Sequence, residues 1–221
     1  MSSTNPDPST SAPAFIPLEA NPELMTTLLH KLGLSPALAI HDVFSLTDAD
    51  MLSFIPRPAL AVLLVFPVSA AYESHRLAED ALLEEYQGKG PQEPVLWFRQ
   101  TIRNACGLMG LLHAVSNGPA REYIPPREDA CAGHGAPRGG LPGAPQAADD
   151  VDLHYVCFVR GNDGTLWELD GRRKGPLARG QLEEGEDVLS EKALTWGPLK
   201  FLEREGADLR FSAVALAGSM D

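Results

Sequence analysis

The chain has 221 residues, of which 44% are hydrophobic and 22% are charged, as expected for a soluble globular protein with one folded domain. Its formal net charge of −12 disfavours binding to nucleic acid backbones and favours a basic partner. Three cysteines, an odd number, do not suit a disulfide framework, so we expect a reducing compartment, cytoplasmic and also nuclear. We find neither a signal peptide nor an apolar run long enough to span a bilayer, so we expect no membrane partner.

Periodicity and end signals predict the elements of the first half of the chain. A Ser/Thr/Pro-rich stretch over 1–13 predicts a disordered tail, and the folded domain is expected over 14–221. Asn21 is placed to cap the first helix, and Gly33 is placed to end it. The predicted elements up to residue 90 are a helix over 22–31, strands over 39–46 and 59–66, and a charged helix over 72–87. The charged side chains expected on a solvated face of the last helix are Glu73, Arg76, Glu79, Asp80, Glu84 and Glu85.

Residues 100–113 place a cysteine at the start of an apolar helix. Asn104 is a good N-cap residue, and leucines at helical spacing follow Cys106. A thiol at a helix N-terminus feels the positive end of the helix dipole, which favours the reactive thiolate form. His113 lies about 10 Å further along the helix axis, so we interpret it as structural rather than as the base. Taken alone, this pattern also fits a plain buried cysteine in a core helix.

The chain changes character after residue 117. Residues 117–150 are rich in Gly, Pro and Ala without helical or strand periodicity, so we expect an irregular segment there, functional or disordered. Cys131 and His134 lie in this segment, but no second pair of ligands has suitable spacing, so no metal site is expected. The elements predicted beyond it are a hairpin of strands over 153–159 and 165–170, a loop over 176–190, a helix interrupted by Gly197 and Pro198, and a strand over 209–216.

The hairpin supplies the partners that a cysteine nucleophile needs. With its turn at 161–164, a one-residue adjustment such as a bulge places His154 directly opposite Asp170, with their Cβ atoms roughly 5 Å apart. An aspartate beside a histidine selects the tautomer of the ring and supports its charged form. If Cys106 is left out of consideration, His154 and Asp170 also fit a cross-strand ion pair at the protein surface. Cys157 points to the other face of its strand and is expected in the core.

These motifs stand in the order of a known family. The stretches involved are residues 17–22, 55–58, 100–113, 152–154, 168–172 and 209–213. They resemble the ubiquitin carboxyl-terminal hydrolase family of cysteine peptidases, most closely its small single-domain members. The resemblance implies an α/β (α+β), papain-like fold, in which helices flank a central, mainly antiparallel sheet and the backbone is knotted. It assigns four roles: Cys106 as nucleophile, His154 as general base, Asp170 as the residue that orients the histidine, and Gln100 as the oxyanion-hole amide.

The resemblance implies thiol-dependent hydrolysis after the C-terminal glycine of ubiquitin, with release of small adducts or peptides and without a metal or cofactor. The implied partner is ubiquitin, with ubiquitin-like modifiers as further candidates, and we expect a monomer. The residues matched to substrate contacts are Pro17, Leu18, Glu19, Glu23, Asp42, Asn104 and Leu153. The acidic ones among them would face the arginine-rich tail of ubiquitin, and ordinary surface carboxylates are the alternative.

The sequence departs from the family between the catalytic helix and the hairpin. Residues 117–150 form a shortened crossover region, and one or two helices that the family has there are missing. Apolar surface that such helices cover is worth about 25 cal/mol per Å², so their loss could exceed the stability of a domain. Two alternatives therefore stand beside the hydrolase: a catalytically impaired ubiquitin-binding protein, and an acyltransferase that uses the same three residues.

Overall fold

The computed structural model describes residues 18, 20–88, 90, 92–102, 104–125, 153–205 and 211–220. The predicted tail over 1–13 and most of the shortened crossover region lie outside these ranges. Cys131 and His134 also lie outside the described residues. The predictions made for these parts of the chain therefore stay predictions.

Six strands of the described chain form one sheet in the order β1-β6-β2-β3-β4-β5, and every neighbouring pair is antiparallel. The strands are β1 (Leu38–Asp42), β2 (Ala61–Pro67), β3 (Leu153–Arg160), β4 (Thr165–Leu169), β5 (Leu177–Gln181) and β6 (Ser212–Gly218). The helices are α1 (Pro22–Leu32), α2 (Ala49–Leu52), α3 (Ala70–Ala81), α4 (Cys106–Val115), α5 (Glu191–Trp196) and α6 (Pro198–Glu205), with a 3₁₀ helix over Gly118–Tyr123. The predicted combination of helices with an antiparallel sheet is confirmed.

Helices cover both faces of the sheet, which explains why β2 is an unbroken apolar run. Leu63 and Val65 pack with buried side chains of α1 and α4 on one face. Leu64 and Phe66 pack with those of α3, α5 and α6 on the other face. A strand that is buried on both faces has apolar residues at every position, so its continuous apolar sequence predicts its burial. Because α4 lies on β3 and β2, the sheet fixes the position of Cys106.

Two predicted elements are shorter than expected because the chain beyond each end forms other hydrogen bonds. β1 ends at Asp42 rather than at residue 46, since Ser45 Oγ accepts from the N–H groups of Thr47 and Asp48 at 3.2 and 3.0 Å. α3 ends at Ala81 rather than at residue 87. Beyond its end, the Tyr86 N–H donates to the Lys174 carbonyl at 2.9 Å. A contact with a distant segment thus replaces the next helical turn.

β5 lies in a stretch predicted as loop, so that prediction is wrong. Its sequence, LARGQ, has no alternation of apolar and polar residues from which a strand could be predicted, and β5 is an edge strand with one neighbour. A register shift between Leu166 and Trp167 marks a bulge in its pairing with β4. Gly180 has a φ of 155°, and a Cβ atom there would lie 2.4 Å from the Trp196 ring. The glycine therefore lets Trp196 of α5 pack on the strand.

The prediction of a solvated charged face on α3 is wrong at the C-terminal end of the helix. Asp80 is buried, and Glu79 is partly covered, whereas Glu84 and Glu85 lie beyond the helix end and are exposed. Arg173 reaches the first two carboxylates from the turn after β4, at 2.7 Å from Glu79 and 3.1 Å from Asp80. Its side chain is completely buried, so these are ion pairs of the interior.

The same cluster includes Glu168 of β4 and Arg179 of β5. Arg173 Nε lies 3.2 Å from Glu168, and Arg179 contacts both Glu168 and Glu79, at 2.6 and 2.8 Å. Burial alone would raise the pKa of Glu79, but Arg179 and Arg173 outweigh burial and lower that pKa to about 2. The cluster therefore ties α3 to the β4–β5 edge through charged groups.

Removing one partner of a buried ion pair leaves an uncompensated charge, so Arg173→Met should lower the free energy of unfolding by about 3 kcal/mol. Methionine keeps much of the aliphatic length, and Asp80 and Glu168 stay buried. Urea unfolding followed by circular dichroism measures the change. Lys200→Met is the matched control: Lys200 is exposed, and its loss should change the free energy by less than about 0.5 kcal/mol. Equal effects of the two substitutions would contradict the prediction.

Candidate active site

Cys106 is the first residue of α4, as predicted, but Asn104 is not its N-cap. The N-cap is Ala105, and no side chain caps the helix. Asn104 instead adopts a φ of +58°, in the left-handed region that asparagine tolerates better than most residues. The left-handed residue turns the chain directly into the helix. The Cys106 Sγ atom faces the first residue of β3 and lies 3.4 Å from the Leu153 carbonyl oxygen.

The hairpin of β3 and β4 brings His154 to Asp170, in a register other than the predicted one. Cys157 pairs with Leu169, so the partner of Asp170 would be Val156 and not His154. The turn explains the difference: the Gly161 N–H donates to the Thr165 carbonyl, and three residues lie between them. One of these, Gly164, has a φ of +79°, as a three-residue hairpin loop requires.

His154 and Asp170 therefore meet diagonally. His154 lies two residues from the position opposite Asp170, so both side chains are on the same face of the sheet. His154 Nε2 donates to Asp170 Oδ1 at 2.9 Å. The side chains are 2% and 0% exposed, which rules out a surface ion pair. Cys157 is fully buried on the other face, and its prediction as a core residue is confirmed.

Hydrogen bonds surround the Asp170 carboxylate. The Arg172 N–H donates to Oδ1 at 2.9 Å, and the Tyr72 hydroxyl donates to Oδ2 at 2.5 Å. The backbone carbonyl of Asp170 accepts from Trp97 Nε1 at 3.0 Å. Burial alone would raise the pKa of Asp170, but His154, Tyr72 and the Arg172 N–H hold it well below its usual range. The carboxylate is thus ionised and fixed in orientation.

The charge on Asp170 determines the charge on His154. Burial alone would lower the pKa of His154, but Asp170 and a hydrogen bond with Cys106 raise it to about 9. Because Nε2 is bonded to Asp170, the other ring nitrogen, Nδ1, is the one that faces the thiol. At neutral pH the ring is therefore an imidazolium beside a cysteine at a helix start. An adjacent cation favours the thiolate form of a cysteine.

Gln100 lies beside the turn that carries Asp170. Its backbone N–H donates to the Gly171 carbonyl at 2.8 Å, and its side-chain Nε2 donates to the Ile102 carbonyl at 3.1 Å. Gly171 permits this approach, since a Cβ atom there would lie 3.0 Å from the Gln100 Cβ. Nε2 carries a second N–H, which has no hydrogen-bond acceptor among the described residues.

His113 is structural, as its spacing predicted. Its Nε2 accepts a hydrogen bond from the Phe98 N–H at 2.9 Å, and the two rings stack with centroids 5.6 Å apart. Burial lowers the pKa of His113 to about 4, so the ring is neutral at physiological pH. A neutral ring is what a backbone N–H donor requires, and His113 holds in place the strand-like segment before Gln100.

Of the predicted substrate contacts, Pro17 and Glu19 lie outside the described residues. The others fall into two groups, one next to Cys106 and one elsewhere on the chain. Leu18 packs against the start of α4, where a Cβ atom on Gly107 would lie 2.8 Å from the Leu18 Cβ. The Leu18 carbonyl accepts from the Tyr155 hydroxyl at 2.5 Å. Leu18, Asn104 and Leu153 are thus next to Cys106 by contact or by chain position. Glu23 and Asp42 are elsewhere.

Glu23 and Asp42 line one cavity of about 490 Å³ between α1 and the end of β1. Both side chains are exposed. The same cavity is lined by Phe44 and Phe54, which are 77% and 67% exposed. Exposed aromatic side chains are enriched at protein-binding surfaces.

Sequence reasoning missed Tyr72 and Trp97, which bond to Asp170. Tyr72 is 98 residues away from Asp170 in the chain, and no local pattern reports such a contact. Among the residues that the structure describes, no three His, Cys, Asp or Glu side chains are grouped as metal ligands. No helix in the described ranges is long and apolar enough to cross a bilayer.

A helix-borne cysteine, a buried histidine–aspartate pair and an antiparallel sheet between helices define a papain-like thiol hydrolase site. Comparison with known proteins gives the family. The sequence profile of the family described as ubiquitin carboxyl-terminal hydrolase, family 1, matches residues 15–129 and 128–196 of this chain. The chain therefore belongs to the ubiquitin carboxyl-terminal hydrolase family, as its motifs indicated.

Individual relatives agree with the family match. A ubiquitin carboxyl-terminal hydrolase of Drosophila melanogaster is 33% identical, with 93% of this chain and 98% of the relative covered. Isozyme L1 of Macaca fascicularis is 34% identical, with 90% and 96% covered. YUH1 of Saccharomyces cerevisiae is 31% identical, with 82% and 85% covered.

Solved structures show the same fold. The Trichinella spiralis UCH37 catalytic domain, solved with ubiquitin vinyl methyl ester, superposes with a TM-score of 0.58. The match covers 96% of this chain and 97% of that chain, at 16% identity. The predicted papain-like architecture is confirmed.

Proposed function

We propose that this chain is a thiol-dependent hydrolase that cleaves after the C-terminal glycine of ubiquitin and releases small adducts or peptides. The observation that carries the proposal is the fully buried His154–Asp170 pair beside Cys106, within a member of this family. The pair holds an imidazolium next to a thiol.

Each of the four residues has one task in the reaction. The Cys106 thiolate attacks the carbonyl carbon of the terminal glycine and forms a tetrahedral intermediate. His154, as imidazolium, donates a proton to the leaving amine, the C–N bond breaks, and a thioester with Cys106 remains. Water then gives a proton to His154 and attacks the thioester. The C–S bond then breaks, which releases the C-terminal acid of ubiquitin and restores the Cys106 thiolate and the His154 imidazolium. The acid gives its proton to water and becomes the carboxylate.

The developing oxyanion needs N–H donors, and the chain before α4 supplies them. The backbone of Asn104 is in the left-handed helical region, and that of Ala105 has φ −87° and ψ 3°. Two successive residues of opposite hand turn their N–H groups to the same side of the chain. The Cys106 N–H, at the helix start, is the proposed first donor, and the second N–H of Gln100 Nε2 is the proposed other.

The contacts for ubiquitin follow from charge and shape. Glu23 and Asp42 stand next to exposed Phe44 and Phe54 and suit the basic, arginine-rich tail end of ubiquitin and an apolar patch on its surface. The packing of Leu18 against Gly107 leaves no room there for a side chain on the helix.

The alternative of a catalytically impaired binder predicts ubiquitin binding without turnover. Leu111 and Ala114, on the core side of α4, are fully buried, so the helix that carries Cys106 is covered there. An acyltransferase would use the same thioester. It predicts transfer to an added amine, whereas hydrolysis predicts free ubiquitin carboxylate.

A fluorogenic amide at the ubiquitin C-terminus tests the proposal. We expect turnover by the purified chain and labelling of Cys106 by an electrophilic ubiquitin C-terminal probe, located by peptide mass. A sample that melts cooperatively but neither turns over the amide nor reacts with the probe would overturn the proposal.

The pH dependence follows from His154. Because the pKa of His154 is raised to about 9, turnover should hold at neutral pH and fall as pH rises through about 9, where the imidazolium loses its proton. The profile of kcat/KM against pH measures this, with melting at each pH to separate inactivation from unfolding. An alkaline limb near the ordinary histidine value of about 6.5 would contradict the assignment.

A further inference from the structure

Tyr72 contacts the catalytic pair from a part of the chain with no assigned role. It lies in the first turn of α3, where Ser69 Oγ caps the helix by accepting from the Tyr72 N–H at 2.9 Å. The side chain is buried, and its hydroxyl donates to Asp170 Oδ2 at 2.5 Å. The cap thus holds the tyrosine at the point where α3 meets the end of β4.

The hydrogen bonds of the two carboxylate oxygens are unequal. Oδ1 accepts from His154 Nε2 and from the Arg172 N–H, each at 2.9 Å. Oδ2 accepts from Tyr72, the one donor to this atom among the described residues. Without that hydroxyl, one oxygen of a fully buried carboxylate would have no partner in the described chain. The carboxylate could then rotate and exchange the atom that faces His154.

The tyrosine ring also borders the histidine ring. The Tyr72 and His154 centroids are 5.6 Å apart, and Phe66 lies 5.0 Å from Tyr72 and 5.8 Å from His154. Tyr72 therefore contacts both members of the pair, one through its hydroxyl and one through its ring. Among the described residues, no hydrogen bond joins Tyr72 to the reacting sulfur.

We propose that Tyr72 is a positioning residue, which fixes the Asp170 carboxylate with Oδ1 toward His154 and takes up part of its negative charge. This inference rests on the hydrolase function proposed above. A hydrogen-bond donor to Oδ2 reduces the negative charge at Oδ1. Tyr72 therefore limits how far Asp170 raises the pKa of His154.

Charged and titratable groups face the pair from several elements. Cys106 of α4 lies beside His154, and His113 of α4 and Arg76 of α3 act on Asp170. Glu168 of β4 and Arg173 of the following turn act on Tyr72. Burial and the nearby Asp170 raise the pKa of Tyr72 far above its ordinary value. The hydroxyl therefore stays a donor at every pH at which the protein is studied, and a change in the profile would come from His154.

Tyr72→Phe removes the hydroxyl and keeps the ring. We expect kcat for a ubiquitin C-terminal fluorogenic amide to fall by about tenfold with KM unchanged, since only the pair is disturbed. The alkaline limb of kcat/KM should move to higher pH, because more of the charge of Asp170 falls on His154. Rates are taken per active site, by titration with the electrophilic ubiquitin probe. Histidine ¹⁵N NMR follows the same titration without turnover.

Tyr86→Phe is the matched control. Tyr86 also donates to a carboxylate, Glu93, at 2.7 Å, but away from the pair. It should leave kcat and the pH limb unchanged. A Tyr72→Phe variant whose rate per active site and pH limb both equal those of the parent chain would overturn the inference. So would equal changes in the two variants.

A second substitution covers a Tyr72→Phe variant that fails to fold. 3,5-Difluorotyrosine at position 72 keeps the ring and hydroxyl but is a stronger donor. The alkaline limb and the histidine titration should then move to lower pH, and no movement or movement to higher pH would overturn the inference. Turnover by the parent chain that is lost in Cys106→Ala tests the proposed function separately, so failure of either idea is recognised on its own.

Discussion

Cys106→Ala should lower kcat for ubiquitin C-terminal substrates by about 10⁴-fold or more while ubiquitin still binds. The substitution removes the only atom that forms the thioester in the proposed reaction. It costs little structure, because the polar contacts of Sγ are a long bond of 3.4 Å to the Leu153 carbonyl and the hydrogen bond with His154. Steady-state turnover measures the first effect, and calorimetric titration with ubiquitin measures the second.

Cys157→Ala is the control for that experiment. Cys157 is also on a core element and is fully buried, but it lies on the face of β3 away from His154. Its loss should reduce stability and leave kcat unchanged. Turnover that survives Cys106→Ala would show that the nucleophile is assigned wrongly, and loss of ubiquitin binding would show that the thiol contributes to recognition.

Asp170→Asn should lower kcat/KM by about 10²- to 10³-fold and move the alkaline limb from about 9 to lower pH. The amide oxygen can still accept from His154 and from the Arg172 N–H. Its amide group then faces Tyr72, whose hydroxyl can turn and accept in place of donating. Geometry is thus kept, and the negative charge that supports the imidazolium is lost. The pH profile of kcat/KM measures both effects.

Asp163→Asn provides the comparison for Asp170→Asn. Asp163 is in the exposed turn of the same hairpin, where its carboxylate accepts from the Thr165 N–H at 3.0 Å. Its replacement should leave both the rate and the limb as they are. If Asp170→Asn lost less than about fivefold in kcat/KM, orientation alone would account for the role of Asp170, and its charge would not matter.

The acidic character of the chain is divided between two uses. Glu23 and Asp42 are exposed at the edge of the sheet near β1, where a basic partner can meet them. Glu79 and Glu168 are turned inward and pair with Arg179, near the turn after β4 that carries Asp170. Net charge therefore says little about surface charge in this protein, since part of the acidic charge is neutralised within the fold.

Local sequence determined the features that act over a few residues. The apolar run of β2, the cap at Asn21 and the stop at Gly33 are in the structure as predicted. Strand parity placed His154 and Asp170 on one face and Cys157 on the other, and parity survives a shift of register by an even number. Helical spacing alone separated His113 from Cys106. These inferences depend only on the period of an element and on its end signals.

Tertiary structure decided everything that joins distant segments. The pairing of His154 with Asp170 depends on a left-handed Gly164 in the turn, and Asn104 is left-handed where a cap was expected. The ion pair of Asp80 with Arg173 crosses 93 residues of chain, and the hydrogen bond from the Tyr72 hydroxyl to Asp170 crosses 98. Whether a charged or hydroxyl-bearing side chain is buried depends on what packs against it, and no periodicity within its own helix carries that information. The sequence by itself therefore predicted that Cys106, His154 and Asp170 belong to one site. Only the packing of α3, α4 and the hairpin decided how these residues are held, and it added Tyr72 and Trp97 as partners of Asp170.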